Sequence, residues 1–150
     1  MKQGPERELV SRYLERAIAA GKPLGLAGFS VTELTESRAG SATARKADEA
    51  RAIREHLPAD VRLVALDEHG KAIDSHGFAQ QLSVWRDDGK AGVSFVIGGA
   101  DGLDPDLVRR ADLALSFSPL TWPHQLVRIM LAEQLYRATT ILSGHPYHRE

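Results

Sequence analysis

Three short apolar runs punctuate this chain: VRLVAL (Val61–Leu66), VSFVI (Val93–Ile97) and DLALSF (Asp112–Phe117). Between them lie longer stretches whose apolar residues recur at helical spacing. This alternation constrains the fold more than any other feature, because a helical crossover between successive strands favours their parallel pairing within one sheet. The chain is therefore predicted to be α/β, with a mostly parallel sheet flanked by helices.

The helical stretches have readable ends. Glu6–Ala20 carries Leu9, Val10, Tyr13, Leu14, Ala17 and Ile18 at helical spacing, and Gly21 and Pro23 stop it. Thr43–Leu57 is highly charged, with Ala50, Ile53 and Leu57 on one face. Ser75 is expected to cap a helix bearing Phe78, Leu82 and Trp85 that ends at Gly89. Pro123–Leu142 makes a long helix, nearly apolar through LVRIML and followed by Gly144 and Pro146. Three weaker signals complete the reading. FSVTEL (Phe29–Leu34) is predicted as a strand, SRAGSA as a mobile loop, and DEHG as the turn closing the strand at Leu66. With 150 residues and no internal repeat or linker, the chain is expected to form a single domain, 1–150.

Composition excludes several classes of function. The absence of cysteine rules out a disulfide scaffold and a thiolate metal site. No apolar run approaches the roughly 20 residues needed to span a bilayer, and MKQGPERELV lacks the apolar core of a signal peptide, so a cytoplasmic location without membrane contact is expected. A net charge of −1 leaves any nucleic-acid site to a local patch.

Ligands of open α/β sheets bind beyond the carboxyl ends of the strands. Two stretches occupy that position. In VIGGADGLDP a strand ends at a glycine turn, and Asp104-Pro105 reads as an N-cap and first helical residue. Its GGxxG spacing is neither a P-loop nor GxGxxG. A tight structural turn and a ligand cradle both fit it. In LSFSPLTWPH, Ser116, Ser118 and Thr121 offer hydroxyls and backbone amides among the apolar Phe117, Leu120 and Trp122, which is the makeup of a small-molecule pocket. Those hydroxyls also suit plain turn chemistry. Of the six histidines, His124, His145 and His148 fall near the end of the chain, beside Arg128, Arg137, Tyr147 and Arg149. The pair His145 and His148 supplies too few ligands for a metal, so no metal is expected. A polar or anion-binding site is the better reading. Arg128 interrupts an apolar helix and could pair with Glu133 or face a phosphate or an aromatic base.

GGADGL, ALSFSPLTWPHQLVRIMLAEQLYRA and the terminal HPYHRE closely resemble the ribosomal RNA large-subunit methyltransferase H family, within the SPOUT class. The likeness is dense from about Leu63 to Glu150. It implies an S-adenosylmethionine-dependent methyltransferase acting on N3 of a pseudouridine in 23S ribosomal RNA. It also implies an α/β fold with a C-terminal trefoil knot, working as a homodimer on the ribosome. By resemblance, Leu66, Gly98 and the loop Phe117, Ser118, Pro119, Leu120, Thr121 and Trp122 hold the cofactor. His148 and His124 are candidate bases, Arg128 and Arg149 candidate partners of phosphate or ring carbonyl, and Tyr147 a stacking face. Trp122 is bulkier than the residue the family carries there, and Pro119 stiffens the loop. The chain also starts where the family is already approaching its first helix, so a first strand is expected to be missing.

Three further expectations follow. Apolar residues on several faces of the long helix (Leu126, Val127, Ile129, Met130, Leu131 and Leu135) point to a dimer partner. Gly98→Val should block the cofactor with the fold largely kept. HPYHRE, held extended by Pro146, should serve the RNA more than the fold, so that losing Tyr147–Glu150 leaves stability nearly unchanged. The rival function is a non-catalytic ribosome- or RNA-binding homodimer of the same fold. A nucleotide-dependent oxidoreductase is disfavoured by the missing GxGxxG.

Overall fold

In the computed structural model, residues 4–26 and 28–149 are described. They form two compact units. Of these, residues 4–26, 28–31, 74–89 and 125–149 belong to the first, and residues 32–73 and 90–124 to the second.

The second unit carries the sheet. Strands β1 (Val61–Ala72), β2 (Gly92–Ile97) and β3 (Leu113–Ser116) pair in parallel, in the order β2-β1-β3. Ala65 and Val96, direct partners in the ladder, are buried together with Ala50 of helix α2 (Ala42–His56) and Leu107 of helix α4 (Pro105–Arg110). Ile53, Leu57, Leu63, Leu103 and Val108 pack around them, so the apolar face read from Ala50, Ile53 and Leu57 does meet the sheet. Val64 is fully buried on the alternate side of β1, as parallel strands require. The Asp104 side chain accepts from Asp106 N–H and Pro105 opens α4, as the sequence indicates.

Four local expectations fail, each for a physical reason. Residues 29–34 form no strand. Their side chains are mostly exposed, and β propensity reflects a half-buried pleated surface that they lack. The segment 37–42 is pinned rather than loose: Ser37 N–H donates to Glu49 Oε2 (2.9 Å) and Ser37 Oγ to Asp48 Oδ2 (2.9 Å). DEHG does not end β1. Asp67 does make the expected turn contact, accepting from His69 N–H at 3.1 Å. Yet Lys71 and Ala72 return to pair with Leu115 and Ser116 after a register shift. Gly70 permits this return, since a Cβ there would lie 2.6 Å from the Ala114 carbonyl oxygen. Finally, helix α3 (Ser75–Asp87) is capped by Asp74, which accepts from Gly77 N–H (2.7 Å), while Ser75 Oγ donates to Gln134 Oε1 (2.9 Å).

The first unit holds helices α1 (Pro5–Gly21), α3 and α5 (His124–Ser143), although His124 itself belongs to the second unit. Phe78, Leu82 and Trp85 of α3 are buried, as their spacing indicates. In α5 the buried residues are Leu131, Ala132, Leu135, Ala138, Thr139 and Thr140. The two buried threonine hydroxyls donate to the carbonyls of Tyr136 and Arg137 (2.6 Å each), so neither is left unsatisfied. Gly144 ends α5 at φ +75°. Its N–H donates to Ile141 C=O and that of His145 to Thr140 C=O, the paired bonds of a Schellman cap.

The glycine turn after β2 is closed by Gly102 N–H donating to Gly99 C=O at 3.0 Å. A Cβ on Gly98 would lie 2.6 Å from Gly102 C and 2.8 Å from Leu103 N. Those atoms are backbone and cannot swing away. Gly98 is thus required by the turn itself, and Gly98→Val is not a substitution that leaves the fold intact. Even Gly98→Ala should destabilise the protein by about 1–3 kcal/mol. Urea unfolding checks this, and a midpoint equal to wild type would contradict it.

Candidate functional site

The sheet register places the sequence-derived cofactor residues at one edge. Leu66 pairs with Ile97 on one side and with Leu115 on the other, so the three form a single row across the sheet. Gly98 follows Ile97 directly, and Ser116–Trp122 follows Leu115. Gly98 and the 117–122 loop therefore leave the carboxyl ends of β2 and β3, the position where α/β sheets bind ligands, and Leu66 stands between them within β1.

Ser116 organises the loop. Its buried hydroxyl accepts from Ser118 N–H (3.2 Å) and has two acceptors for its single proton, Ser118 C=O (3.0 Å) and Glu68 C=O (3.1 Å). Ser118 Oγ in turn accepts from Leu120 N–H (3.0 Å), and Thr121 Oγ1 donates to the Glu68 carboxylate (2.7 Å). The hydroxyls of Ser116, Ser118 and Thr121 thus do serve turn geometry. That geometry leaves Leu120 and Trp122 projecting, 65% and 40% exposed. A tied backbone with free apolar walls at a strand-end edge fits an adenosyl group, which needs backbone hydrogen bonds and flat apolar cover. Glu68 and Gly70 were not singled out by sequence reasoning. Both lie in DEHG, whose turn composition hid that the strand continues.

The candidate RNA-facing residues lie in the first unit, apart from His124 and the undescribed Glu150. Gly144 reverses the chain, and Pro146-Tyr147 forms a turn in which Tyr147 N–H donates to His145 Nδ1 (3.2 Å). The tail therefore folds back instead of running extended. Tyr147 Oη donates to Glu133 Oε2 (3.2 Å), and the ring lies 4.7 Å from that of Tyr136 and 4.9 Å from the Arg137 guanidinium. Arg137 bridges the assembly. It donates to Glu133 at 2.9 Å and, through Nη1, to His148 Nδ1 at 3.1 Å. The His148 ring meets His76 edge-on at 4.9 Å. Tyr147 and His148 are consequently half-buried anchors of the tail, so deleting residues 147–150 must cost stability as well as contacts. His145, Pro146 and Arg149 stay exposed. The signal for this hub was present in the sequence as the i, i+4 spacing of Glu133 and Arg137.

Hydrogen bonding bears on the His148 tautomer, and burial and charge shift Tyr147 and Arg128. Arginine is always a donor, so the Arg137 contact makes His148 Nδ1 an acceptor. The neutral ring then carries its proton on Nε2. Tyr147 is pushed up to about 12, first by burial and then by the Glu133 carboxylate, through charge and through the hydrogen bond it accepts. Burial pushes the Arg128 guanidinium below its ordinary value, yet arginine stays charged. The Glu133 carboxylate accepts from Arg137 and Tyr147.

The Tyr147 shift has a testable sign. A phenol whose folded pKa is raised stabilises the fold fully below pH 10, and that contribution is lost as pH rises from 10 towards about 12. In an alkaline titration followed by tyrosinate absorbance, one of the three tyrosines should ionise only near pH 12, and Tyr147→Phe should remove that late step. Complete ionisation with an ordinary midpoint near pH 10 would contradict the buried contact to Glu133.

No helix of the described residues is long and apolar enough to cross a membrane, and among them no group of three or more His, Asp or Glu side chains could hold a metal ion. The family model described as "Predicted SPOUT methyltransferase" matches residues 1–148. The chain is 58% identical over 149 residues to the ribosomal RNA large subunit methyltransferase H of Bradyrhizobium diazoefficiens, an alignment covering 99% of this chain and 93% of that protein. The proteins of the same name from Rhodopseudomonas palustris and Brucella anthropi are 57% and 56% identical, with the same coverage. A parallel α/β sheet whose carboxyl edge carries the glycine turn and the serine-tied loop, matched by a family model over nearly its whole length, shows that the chain belongs to the SPOUT methyltransferase family.

Proposed function

We propose that this protein methylates N3 of a pseudouridine in large-subunit ribosomal RNA, using S-adenosylmethionine and working in the cytoplasm as a homodimer on the ribosome. The observation that carries the reading is the single row Leu66–Ile97–Leu115, which delivers Leu66, Gly98 and the 117–122 loop to one edge. The names of the full-length relatives supply the substrate class. Both units fall within one family match, and we take them as one functional domain, with the trefoil knot that the resemblance implies. The exposed Leu126 of α5 favours a second copy as its cover.

When bound, S-adenosylmethionine supplies an already activated methyl group. The protein's own task is to orient the base and to ease loss of the N3 proton. Leu66 and Gly98 would bring backbone to the adenosyl group, and Leu120 and Trp122 would wall it. N3 of a uracil-type ring lies between two carbonyls, and its lost proton leaves charge on their oxygens. A donor aimed at such an oxygen makes that loss easier. His148, held with its proton on Nε2 by Arg137, is such a donor. It could accept the N3 proton only after giving up the Arg137 contact, so His124 is the better candidate base. Exposed Arg149 supplies a fixed charge for phosphate, and the half-buried Tyr147 ring, neutral well beyond physiological pH, is the candidate stacking surface.

The test is methyl transfer from labelled S-adenosylmethionine to unmodified ribosomes, with nucleoside analysis of the RNA. Label on pseudouridine N3 of the large-subunit RNA is expected. No transfer, or transfer to another position, would overturn the reading. In the same assay His148→Ala should lose about 10²-fold in rate, whereas His148→Gln, which keeps an N–H donor, should stay within about tenfold of wild type. If Gln is as inactive as Ala, the donor role is wrong and His148 acts as the base.

A further inference from the structure

The glycine turn has an anchor that the cofactor reading leaves unused. Its tip is Ala100-Asp101, and the Asp101 carboxylate is gripped from α2 by Arg45. Arg45 Nε donates to Oδ2 at 2.7 Å and Nη2 to Oδ1 at 3.2 Å, a two-pronged contact across 56 positions of sequence. The third guanidinium nitrogen, Nη1, donates to Ala39 C=O at 3.1 Å. That carbonyl is itself well placed. Ala39 N–H donates to Ser37 Oγ, and Ser37 is tied to Asp48 and Glu49 of α2. Ser41, whose Oγ accepts from Ala44 N–H, caps the same helix. Arg45 thus joins three fixed points: helix, loop 37–41 and turn tip.

Such a grip is poorly explained as a stability device. Both side chains are about a quarter to a third exposed, where ion pairs contribute little. The turn, however, contains three glycines, Gly98, Gly99 and Gly102, and Gly102 sits at φ +85°. Glycine-rich backbone has many shapes to lose, and a ligand that packs on it must bear that ordering cost unless the protein has already fixed the shape. We propose that Arg45 is a positioning residue for the cofactor: through Asp101 it holds the glycine turn in the one shape that receives S-adenosylmethionine. The role rests on the assignment of that turn to the cofactor. The Asp101 carboxyl is held below the usual carboxylate range, chiefly by the hydrogen bond from Arg45, so the grip persists through neutral pH. Lysine cannot replace arginine here, because one ammonium cannot serve both carboxylate oxygens and the Ala39 carbonyl in this fork.

The experiment titrates S-adenosylmethionine calorimetrically into the full-length wild type, Arg45→Lys and Asp101→Asn, and measures KM and kcat with ribosomes. Both variants should keep a wild-type circular dichroism spectrum. Their Kd and KM for S-adenosylmethionine should rise about tenfold, while kcat at saturating cofactor and ribosome stays within about twofold. Unaltered Kd in Arg45→Lys overturns the proposal, as does a fall in kcat with Kd unmoved. If both variants are unfolded, the pair is a fold determinant and the positioning role is likewise overturned. A wild type that fails to bind S-adenosylmethionine defeats the methyltransferase reading itself, whereas binding wild type with unaffected variants defeats only the role of Arg45.

Discussion

The ladder that β1 makes with both of its neighbours is the constraint on which the site depends. Backbone hydrogen bonds in a parallel sheet fix which residues stand side by side, and here they put Leu66, Ile97 and Leu115 in one row. Slipping one strand by a single residue would turn its side chains to the other face and carry one candidate segment away from the other two. The row also sets the demand for glycine. Gly98 turns back so tightly that its α-carbon faces the backbone of Gly102 and Leu103. Gly70 lets the end of β1 return against Ala114 and Leu115. Two glycines therefore serve close backbone approach before any ligand is considered.

Much of this was legible in the sequence because it is written in periodicity and caps. The three strands, the α2 face of Ala50, Ile53 and Leu57, the Asp104-Pro105 start of α4 and the glycine stop of α5 all follow from local chemistry. What stayed hidden is non-local. DEHG reads as a turn, and Asp67 does make a turn contact, but pairing of Lys71 and Ala72 with β3 overrides it. FSVTEL has strand propensity but joins no ladder of the described residues. SRAGSA looks loose until Asp48 and Glu49, a helix away, bind Ser37. The terminal histidines read as free chemistry, whereas the structure ties His148 to Arg137 and Tyr147 to Glu133.

That last point recasts the end of the chain. A tail meant to touch RNA gains from being held, since an ordered donor or stacking face needs no ordering at the moment of binding. Glu133 and Arg137 supply the hold: one carboxylate receives the Tyr147 hydroxyl and the Arg137 guanidinium, and Arg137 passes orientation on to His148. Structure and substrate contact are therefore not alternatives for these residues. The same logic recurs at the glycine turn, where Arg45 holds Asp101.

On the reading proposed above, three segments far apart in sequence and joined by one row of the sheet make a single cofactor cleft. Amide hydrogen exchange with and without S-adenosylmethionine tests it most directly. Cofactor-dependent protection should appear together in the segments around Leu66, Gly98–Leu103 and Phe117–Trp122. Protection confined to one of them, or located elsewhere in the chain, would rule out a cleft shared by the three segments.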